Sequence, residues 1–371
     1  MNAPAKSSSP MLEEIQRLPT SGARAVEHFA VDGADYLVIP QLAEDITGQP
    51  AYMNGGNSDV DALVFRWADG RFVEHQRLAV PGGEDAAFFQ IDDRRFLATA
   101  SLRSGRGPYD LNAHSAVFEF KQQRFVPFQR FPTFAAKQWK HFSIEGRHFL
   151  ALAQGVVAEG PPAVHPSLSC IYEWNGSEFV PFQTVPSAWG YNWEFFALDG
   201  HCFLGYADHV EVTRLLKWNG QGFGPFQDLA PKGGRALCFF EAGGDAWLAL
   251  ANLIGESFLF RWDGTQFIQH QRLCGPGARE FAWVASGSSG YLIQVNFLRG
   301  ERSAPHTALQ SCIYRMQRNQ LEVVEEFATF GAPDVSAFAI DGEHVVAVAN
   351  SLSADVRFRT DSVVYRWHAE E

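Results

Sequence analysis

The stretch "RFVPFQRFPT", residues 124–133, recurs as "EFVPFQTVPS" at 178–187 and, more loosely, as "GFGPFQDLAP" at 222–231. The shared Phe-x-x-x-Gln spacing also joins Phe72 to Gln76 and Phe267 to Gln271. Degenerate copies begin at Leu12 and Leu321. Self-similarity of this kind indicates a repeat architecture, in which each unit is one supersecondary motif. The first question is therefore what each unit forms.

Two further patterns recur in most units. Upstream of the Phe lie "RWADGRF" (66–72), "EWNGSEF" (173–179), "KWNGQGF" (217–223) and "RWDGTQF" (261–267), whose Asp-Gly or Asn-Gly predicts a two-residue hairpin turn. Downstream lie paired apolar strands around another turn, as in "GAPDVSAFAIDGEHVVAVA" at 331–349. No window keeps a helical apolar period. The count is seven units of four strands each, which predicts an all-β fold, a seven-bladed β-propeller of four-stranded blades.

The two chain ends predict how the ring closes. The last unit stops at "VVYRWHAEE", residues 363–371, which corresponds to a third strand. The missing outer strand is at the other end, in "MLEEIQRLPT", residues 11–20. We therefore expect the N-terminal strand to pair with the last blade, which removes exposed sheet edges. The predicted organisation is a disordered tail at 1–10 and a single propeller domain at 11–371.

These repeats resemble the EAR (epilepsy-associated repeat, EPTP) family. The pattern is best developed in "FATFGAPDVSAFAIDGEHVVAVANS" (327–351) and "SCIYEWNGSEFVPFQTVP" (169–186), and it extends over residues 11–367. Repeat 6 departs from it, with "YRMQRNQL" (314–321) in place of the Trp, the turn Gly and the Phe. The resemblance implies a seven-bladed propeller and, in animal members, a secreted or cell-surface module that binds proteins. It also implies that a calcium ion can sit in the axial channel.

Composition narrows the possible partners and location. The net charge is −12 and no basic run is present, so nucleic acid and anionic membranes are not expected partners. The start of the chain lacks a signal-peptide pattern, and five cysteines, an odd number without close spacing, predict reduced thiols. We therefore expect a cytoplasmic monomer. No dinucleotide, phosphate-loop or zinc pattern is visible, so no cofactor is predicted from the residues.

Polar residues that interrupt the innermost strand of each blade are the candidate site. One column contains Asp85, Glu280 and Asp334, and the column two residues on contains Glu27, Lys140 and Glu194. Just outside them lie Arg24, Glu84, Lys137, Tyr191, Arg235 and Arg279. Because side chains alternate along a strand, the residues of the two columns are expected to collect around one end of the axial channel, with the other six just outside them. They form either a water-filled channel of compensating charges or a ligand or ion site. For calcium, Asp85 and Asp334 occupy the column that the family resemblance implies.

Long loops are expected on the same face. The second and third strands are joined by long loops in blades 1, 2, 3, 6 and 7 and by short loops in blades 4 and 5. Such loops are either tolerated insertions or functional. Because the loops of blades 4 and 5 are short, the ring of long loops is open on that side, which predicts a cleft above the channel. Trp189 and Tyr191 are expected in the wall of this cleft, and His114, His165 and His306 are expected to reach a ligand bound there. An aromatic wall suits aromatic or cationic ligands.

Two functions remain open at this point. The first is a binding propeller that takes a small molecule or a protein on the long-loop face, using the polar residues at the channel mouth. The second is an enzyme without a redox cofactor, of cyclase, lyase or isomerase type. In that reading Glu194 or Glu27 acts as the base, and Lys140 or a loop histidine as the acid.

Overall fold

The computed structural model describes residues 10–156, 166–229, 231–286 and 289–368, and within them every regular element is a β-strand. The strands form seven four-stranded antiparallel sheets arranged in a ring, which confirms the seven-bladed propeller. The predicted tail falls almost entirely on residues 1–9, outside the described residues. No helix in the described part of the chain is long and apolar enough to cross a membrane.

The first strand of the chain, β1 (Leu12–Leu18), belongs to the last blade, so blade 1 begins at β2. Blade 1 contains β2 (Glu27–Val31), β3 (Ala34–Ile39), β4 (Asp61–Ala68) and β5 (Arg71–Ala79). Blade 2 contains β6 (Gly83–Ile91), β7 (Arg94–Ser101), β8 (His114–Lys121) and β9 (Arg124–Pro132). Blade 3 contains β10 (Ala136–Ile144), β11 (Arg147–Gln154), β12 (Leu168–Trp174) and β13 (Phe179–Pro186).

Blades 4 to 7 repeat this order from the inner to the outer strand. Blade 4 contains β14 (Gly190–Leu198), β15 (His201–Asp208), β16 (Thr213–Trp218) and β17 (Phe223–Leu229). Blade 5 contains β18 (Gly234–Ala242), β19 (Asp245–Asn252), β20 (Ser257–Trp262) and β21 (Phe267–Leu273). Blade 6 contains β22 (Ala278–Ser286), β23 (Ser289–Asn296), β24 (Ala308–Gln317) and β25 (Gln320–Phe330). Blade 7 contains β26 (Asp334–Ile340), β27 (Glu343–Ala349), β28 (Ser362–Trp367) and finally β1.

The ring closes as the chain ends predict. Strand β1 pairs antiparallel with β28, with Leu12 opposite Trp367 and Leu18 opposite Ser362. The outer edge of blade 7 is therefore supplied by residues that lie more than three hundred positions earlier in the chain. Closure of this kind fixes both chain ends in one sheet.

The Phe-x-x-x-Gln motif joins neighbouring blades. The side-chain amide of each Gln donates to the main-chain carbonyl oxygen of a residue near the start of the next outer strand. It also accepts from the N–H of that same residue, at 2.7–2.9 Å. The pairs are Gln16–Phe72, Gln76–Phe125, Gln129–Phe179, Gln183–Phe223, Gln227–Phe267 and Gln271–Leu321. Glutamine suits this position because its side chain carries both a donor and an acceptor. At the seventh junction Glu325 accepts from the Met11 amide at 2.6 Å.

Buried apolar residues form one core at each of the seven junctions between blades. Two histidines belong to these cores. The His28 ring of blade 1 stacks on Phe338 of blade 7 at 3.9 Å, and His141 of blade 3 stacks on Phe89 of blade 2 at 4.5 Å. Both rings therefore serve packing between blades. They are not free to act at the channel.

The hairpin turns differ in part from the prediction. In blade 1, Asp69 and Gly70 form the expected two-residue turn with positive φ angles of 51° and 76°. In blades 3, 4 and 5 the two-residue prediction is wrong, because four residues separate the paired strand ends. There the Asn or Asp side chain accepts from main-chain amides two and three residues on, as Asn175 does from Ser177 and Glu178 at 2.9 Å. This side-chain turn satisfies amides that a tighter turn would pair directly.

Candidate ligand site at the channel mouth

The inner strand starts with a β-bulge in blades 2 to 6. In each of these blades the register between the first and second strands shifts by one residue directly after the first residue pair. A bulge leaves one residue unpaired and turns its side chain away from the regular alternation. The residues inside the five bulges are Glu84, Lys137, Tyr191, Arg235 and Arg279. Together with Arg24 of blade 1 they form what we call the mouth cluster.

Three cations of the mouth cluster surround one aromatic ring. The Arg235 guanidinium lies 3.8 Å from the centroid of the Tyr191 ring, the Arg279 guanidinium 4.9 Å, and the Lys137 ammonium 5.1 Å. The electron-rich face of the ring attracts each of them. Lys137, Arg235 and Arg279 are all buried, with exposed fractions of 6%, 4% and 8%. Three like charges are thus held close together away from bulk water.

Glu84 is the one carboxylate in the mouth cluster. Its Oε1 atom lies 3.4 Å from Arg24 Nε and 3.6 Å from Lys137 Nζ. These are close charges and not well-aligned hydrogen bonds, since Arg24 Nε is buried without a hydrogen-bond acceptor among the described residues. Burial alone would raise the pKa of the Glu84 carboxyl. The positive charges of Arg24 and Lys137 outweigh this effect, so the pKa lies below its usual value. Glu84 is therefore ionised.

The remaining cations of the cluster are poorly compensated. Burial lowers the pKa of the Arg235 guanidinium to about 10, so this group stays charged near neutral pH. Burial also lowers the pKa of the Lys137 ammonium, and the charge of Glu84 opposes that shift. Arg235 Nη1 is buried and has no hydrogen-bond acceptor in the described part of the chain. Neither Arg235 nor Arg279 forms a salt bridge with a described residue, in contrast to Arg24 and Lys137. Four cations thus face a single carboxylate.

Below the mouth, polar residues of the channel column hold neighbouring blades together. Asp334 accepts from the Val26 amide and Asp85 from the Trp139 amide, each at 2.8 Å. Four more side chains of the two columns accept a hydrogen bond from a main-chain amide of the next blade, at 2.6–3.3 Å. They are Gln138 from Trp193, Asn192 from Leu237, Glu27 from Phe88, and Glu194 from Phe239. Glu280 instead accepts from the adjacent Phe281 amide at 3.0 Å. These side chains have a structural role whatever else they do.

Four of these side chains, Glu27, Asp85, Glu280 and Asp334, are referred to as the channel carboxylates. Burial raises the pKa of Glu27 to about 8, of Asp85 to about 7 and of Asp334 to about 6. Burial also raises that of Glu280 well above its usual value, and the charge of Asp334 adds to the effect. The mouth cations therefore do not fully offset the burial of these groups. The cations of the mouth cluster thus lie beside carboxyl groups that ionise at higher pH than exposed ones do.

The two residues predicted as an acid–base pair are in contact. Lys140 Nζ donates to Glu194 Oε2 at 2.6 Å, and both side chains are only partly exposed. Burial lowers the pKa of Lys140, but the adjacent Glu194 more than offsets this, so the net shift is upward. Glu27 lies two blades away from Lys140 around the ring and instead contacts the Phe88 amide of blade 2. Of the three residues, the structure brings only Lys140 and Glu194 together.

The residues named for calcium fit a cation poorly. Asp85 and Asp334 each commit an oxygen to a main-chain amide. Within the described ranges no three His, Cys, Asp or Glu side chains are grouped so that they could hold a metal ion. Calcium takes six to eight oxygen ligands, which these two carboxylates do not approach.

Trp189 and Tyr191 lie at the entry to blade 4, as the sequence indicates. Asp208 fixes this entry by accepting from the Trp189 amide at 2.9 Å through Oδ2 and from the Val210 amide through Oδ1, also at 2.9 Å. The preceding Gly190 is required here, because a Cβ atom would overlap the hydroxyl of Tyr206. Trp189 is 7% exposed, so its ring forms a packed wall and not an open surface.

Loop lengths agree with the sequence analysis. Only four residues join β15 to β16 in blade 4 and β19 to β20 in blade 5, whereas 21 residues join β3 to β4 in blade 1. Apolar residues from several loops pack together in one cluster, including Leu42, Phe297 and Phe358. Arg302 of the blade 6 loop lies 5.3 Å from the Trp189 ring, so this loop extends over the low blade 5.

The structure brings neither of the two described loop histidines into contact with the mouth cluster. His114 and His306 are exposed, and no contact joins either imidazole to the mouth cluster among the described residues. His165 lies outside the described residues. The sequence analysis missed His209, which packs edge-on against Trp189 at 4.9 Å. Burial, followed by the positive charge of Arg235, lowers its pKa to about 3, so it is neutral. Its one sequence signal is its position directly after β15.

The fold and the polar channel define the class of protein. It is a seven-bladed β-propeller whose blades are joined by side-chain amides and whose axial channel is lined by charges. The EPTP domain matches residues 11–67, 124–175, 178–219, 222–263 and 320–368, more than half of the chain. The chain therefore belongs to the EPTP family, as its repeats indicate.

Two curated relatives share these repeats. The mouse thrombospondin-type laminin G domain and EAR repeat-containing protein is 27% identical over 210 residues, covering 55% of this chain and 28% of the relative. The human protein of the same name is 26% identical over 201 residues, covering 53% of this chain and 27% of the relative. The chain thus matches about a quarter of the length of each relative.

Proposed function

We propose that this propeller binds a ligand on its long-loop face, at the mouth cluster. The EPTP propeller fold supports a binding role in general. The observation that carries the choice of face is the set of five bulges, one in each of blades 2 to 6, which hold four buried charged residues and the partly buried Tyr191. Bulges concentrate next to functional sites, where they redirect side chains.

The scaffold favours recognition because it holds these groups rigidly. Each bulge begins a strand that is paired along most of its length, and the column beneath it is bonded to the next blade. Side chains presented from strands are positioned more precisely than side chains presented from loops. Tyr191 and Trp189 add aromatic surface beside the charges. A mixed aromatic and charged site is typical of specific ligand binding.

We also propose that the chain acts as a monomer in a reducing compartment, the cytoplasm. All five cysteines are free, and Cys312 is buried. A small molecule or a protein is the proposed partner, whereas nucleic acid is not, given the net charge of −12. Size-exclusion chromatography with light scattering tests the monomer, and mass analysis after thiol labelling of protein from cells tests the reduced cysteines.

A ligand screen with matched variants tests the proposed face. A metabolite library is screened by thermal shift against the full chain, Arg235→Gln with Tyr191→Phe, and Arg124→Gln. Arg124 is an exposed cation at the start of β9, on the opposite face. Compounds are expected to stabilise the wild type and Arg124→Gln but not the mouth variant. Stabilisation that survives in the mouth variant and is lost in Arg124→Gln contradicts the proposal.

Acid–base catalysis at the same mouth is a second candidate. The observation in its favour is the raised pKa of Glu27, about 8, in the same channel as the Lys140–Glu194 pair. A carboxyl with such a pKa can exchange protons near neutral pH. Glu27→Gln and Glu194→Gln keep the oxygens that accept from the Phe88 and Phe239 amides. Under this reading they lower turnover of a ligand found in the screen by roughly a hundredfold, while unchanged turnover contradicts it.

A further inference from the structure

The mouth cluster carries more positive charge than its own carboxylate offsets. Lys137, Arg235 and Arg279 all lie within 5.1 Å of the centroid of the Tyr191 ring. Only Lys137 is paired with Glu84, which it shares with Arg24. Like charges repel strongly where water is excluded, and a buried cation without a partner is costly. A further negative charge in contact with these cations would therefore stabilise the cluster.

The channel carboxylates are not paired with the mouth cations: among the described residues, none of the four forms a salt bridge with Lys137, Arg235 or Arg279. The channel carboxylates accept hydrogen bonds from main-chain amides below the mouth cluster, as Asp85 does from the Trp139 amide. Arg279 is the mouth cation that acts on Asp85, Glu280 and Asp334, yet burial outweighs it in all three. Two sources of negative charge can act in direct contact with these cations, namely an ionised Tyr191 and a bound anion.

The donor geometry favours a bound anion. Arg235 stacks its guanidinium on the Tyr191 ring at 3.8 Å, and stacking leaves the in-plane N–H groups of a guanidinium free. Its Nη1 atom is buried and has no acceptor in the described residues. The planar fork of N–H groups on Arg matches two oxygens of a carboxylate or a phosphate. Lys137 adds a point charge 5.1 Å from the centroid of the same ring.

We propose that the mouth cluster binds a small oxyanion, a carboxylate or phosphate group, between Arg235, Arg279 and Lys137 beside Tyr191. This inference rests on the proposed function and specifies its ligand class. The sequence analysis favoured aromatic or cationic ligands from the aromatic residues alone. The cations around Tyr191 reverse that preference, because a cationic ligand would add to the existing repulsion.

Calorimetry with two probes tests the inference. The full chain is titrated at low ionic strength with inorganic phosphate and, separately, with citrate, so that the two oxyanion chemistries are compared. At least one is expected to bind with a dissociation constant below about 1 mM, a level that two charge-assisted contacts support. Arg235→Gln and Arg279→Gln are each expected to weaken it about tenfold or more, and Arg235→Lys less. Arg124→Gln, on the opposite face, is expected to bind like the wild type.

A spectroscopic titration of Tyr191 gives a second, independent measurement. Absorbance of the phenolate near 295 nm is followed against pH, and the Tyr191→Phe variant is subtracted to isolate Tyr191. Burial raises the pKa of this phenol, but Arg235, Lys137 and Arg279 together lower it below the usual value. Saturating anion is expected to raise it again. If Tyr191 is already ionised at pH 7 without anion, the phenolate is the counter-charge and the inference is wrong.

Failure of this inference differs from failure of the proposed function. The oxyanion inference is overturned if neither probe binds, or if binding is unchanged in Arg235→Gln and Arg279→Gln. The proposed face stands in that case if a neutral or cationic ligand from the screen still requires the mouth residues. It fails as well if every ligand is insensitive to them. Circular dichroism spectra confirm that each variant is folded.

Discussion

The side-chain amide of Gln16 forms two hydrogen bonds with the main chain of Phe72, each at 2.8 Å. Gln16 lies in β1, the outer strand of blade 7, and Phe72 lies in β5, the outer strand of blade 1. The closing strand is thus held on two sides, by the ladder to β28 within its sheet and by this side chain across the junction. Stability of the whole ring therefore depends on the first described strand of the chain.

A chain that begins at Ser21 should be strongly destabilised. It lacks β1, so β28 becomes an exposed edge, and Leu12 and Leu18 leave the cores on either side of blade 7. Burial of one leucine side chain contributes about 1.5–3 kcal/mol. Thermal unfolding followed by circular dichroism measures the loss. A chain that begins at Pro10 keeps these contacts and is the control. Equal melting temperatures for the two chains would show that closure contributes nothing.

Gln76→Glu tests the side-chain junction without shortening the chain. Gln76 is 8% exposed and bonds to both the N–H and the carbonyl oxygen of Phe125. A carboxylate can accept from the N–H but places a second acceptor against the carbonyl, so we expect a loss of about 1–3 kcal/mol. Urea denaturation gives the free energy of unfolding. Gln221→Glu, at an exposed turn, is the matched control and should change stability little. Equal effects would contradict the role of the motif.

The blade count, the ring closure and the Asp-Gly turn of blade 1 were predictable because their signals are local or repeated. The partner of the motif Gln was not, since it lies 40 to 56 residues further on, in another blade. Spacing along the chain shows that a Gln recurs and not which main-chain group it meets. The same limit applies to Asp85, which was expected to face the channel but whose bond to the Trp139 amide depends on how blades pack.

The bulges explain why the sequence did not predict the direction of the mouth-cluster side chains. Strict alternation puts Arg235 and Ala236 on opposite faces of β18, so Arg235 was expected outside the channel column. A one-residue shift in register leaves no mark in a single sequence, yet it redirects the side chain toward Tyr191. His209 was missed for a related reason, since its role comes from contact with Trp189, twenty residues away.

Glu27→Gln should reduce the dependence of stability on pH. The pKa of Glu27 is raised from 4.5 to about 8, chiefly by burial. Its contribution to stability is therefore full below pH 4.5 and is lost as pH rises toward 8, because the unfolded chain releases the proton first. Between pH 5.5 and 9 we expect the wild type to lose on the order of 1–3 kcal/mol more than Glu27→Gln.

Urea denaturation at intervals of pH measures this difference. The glutamine keeps an oxygen that can accept from the Phe88 amide, so the contact between blades 1 and 2 is preserved. Glu241→Gln is the control, because Glu241 is exposed near the end of β18. Parallel stability curves for the wild type and Glu27→Gln would show that this carboxyl is not held protonated by the fold.

Opposite changes in the mouth cluster should shift stability in opposite directions. Glu84→Gln removes the single carboxylate among four cations, and breaking a buried charge pair in this way costs about 3–5 kcal/mol. Arg235→Gln removes a buried cation without a salt bridge, so repulsion with Arg279 and Lys137 falls and the free protein should become more stable, by roughly 1 kcal/mol. Melting temperatures in anion-free buffer give the signs. If both variants lose stability equally, the mouth cluster is already balanced by groups of the chain itself, and its residues serve the fold alone.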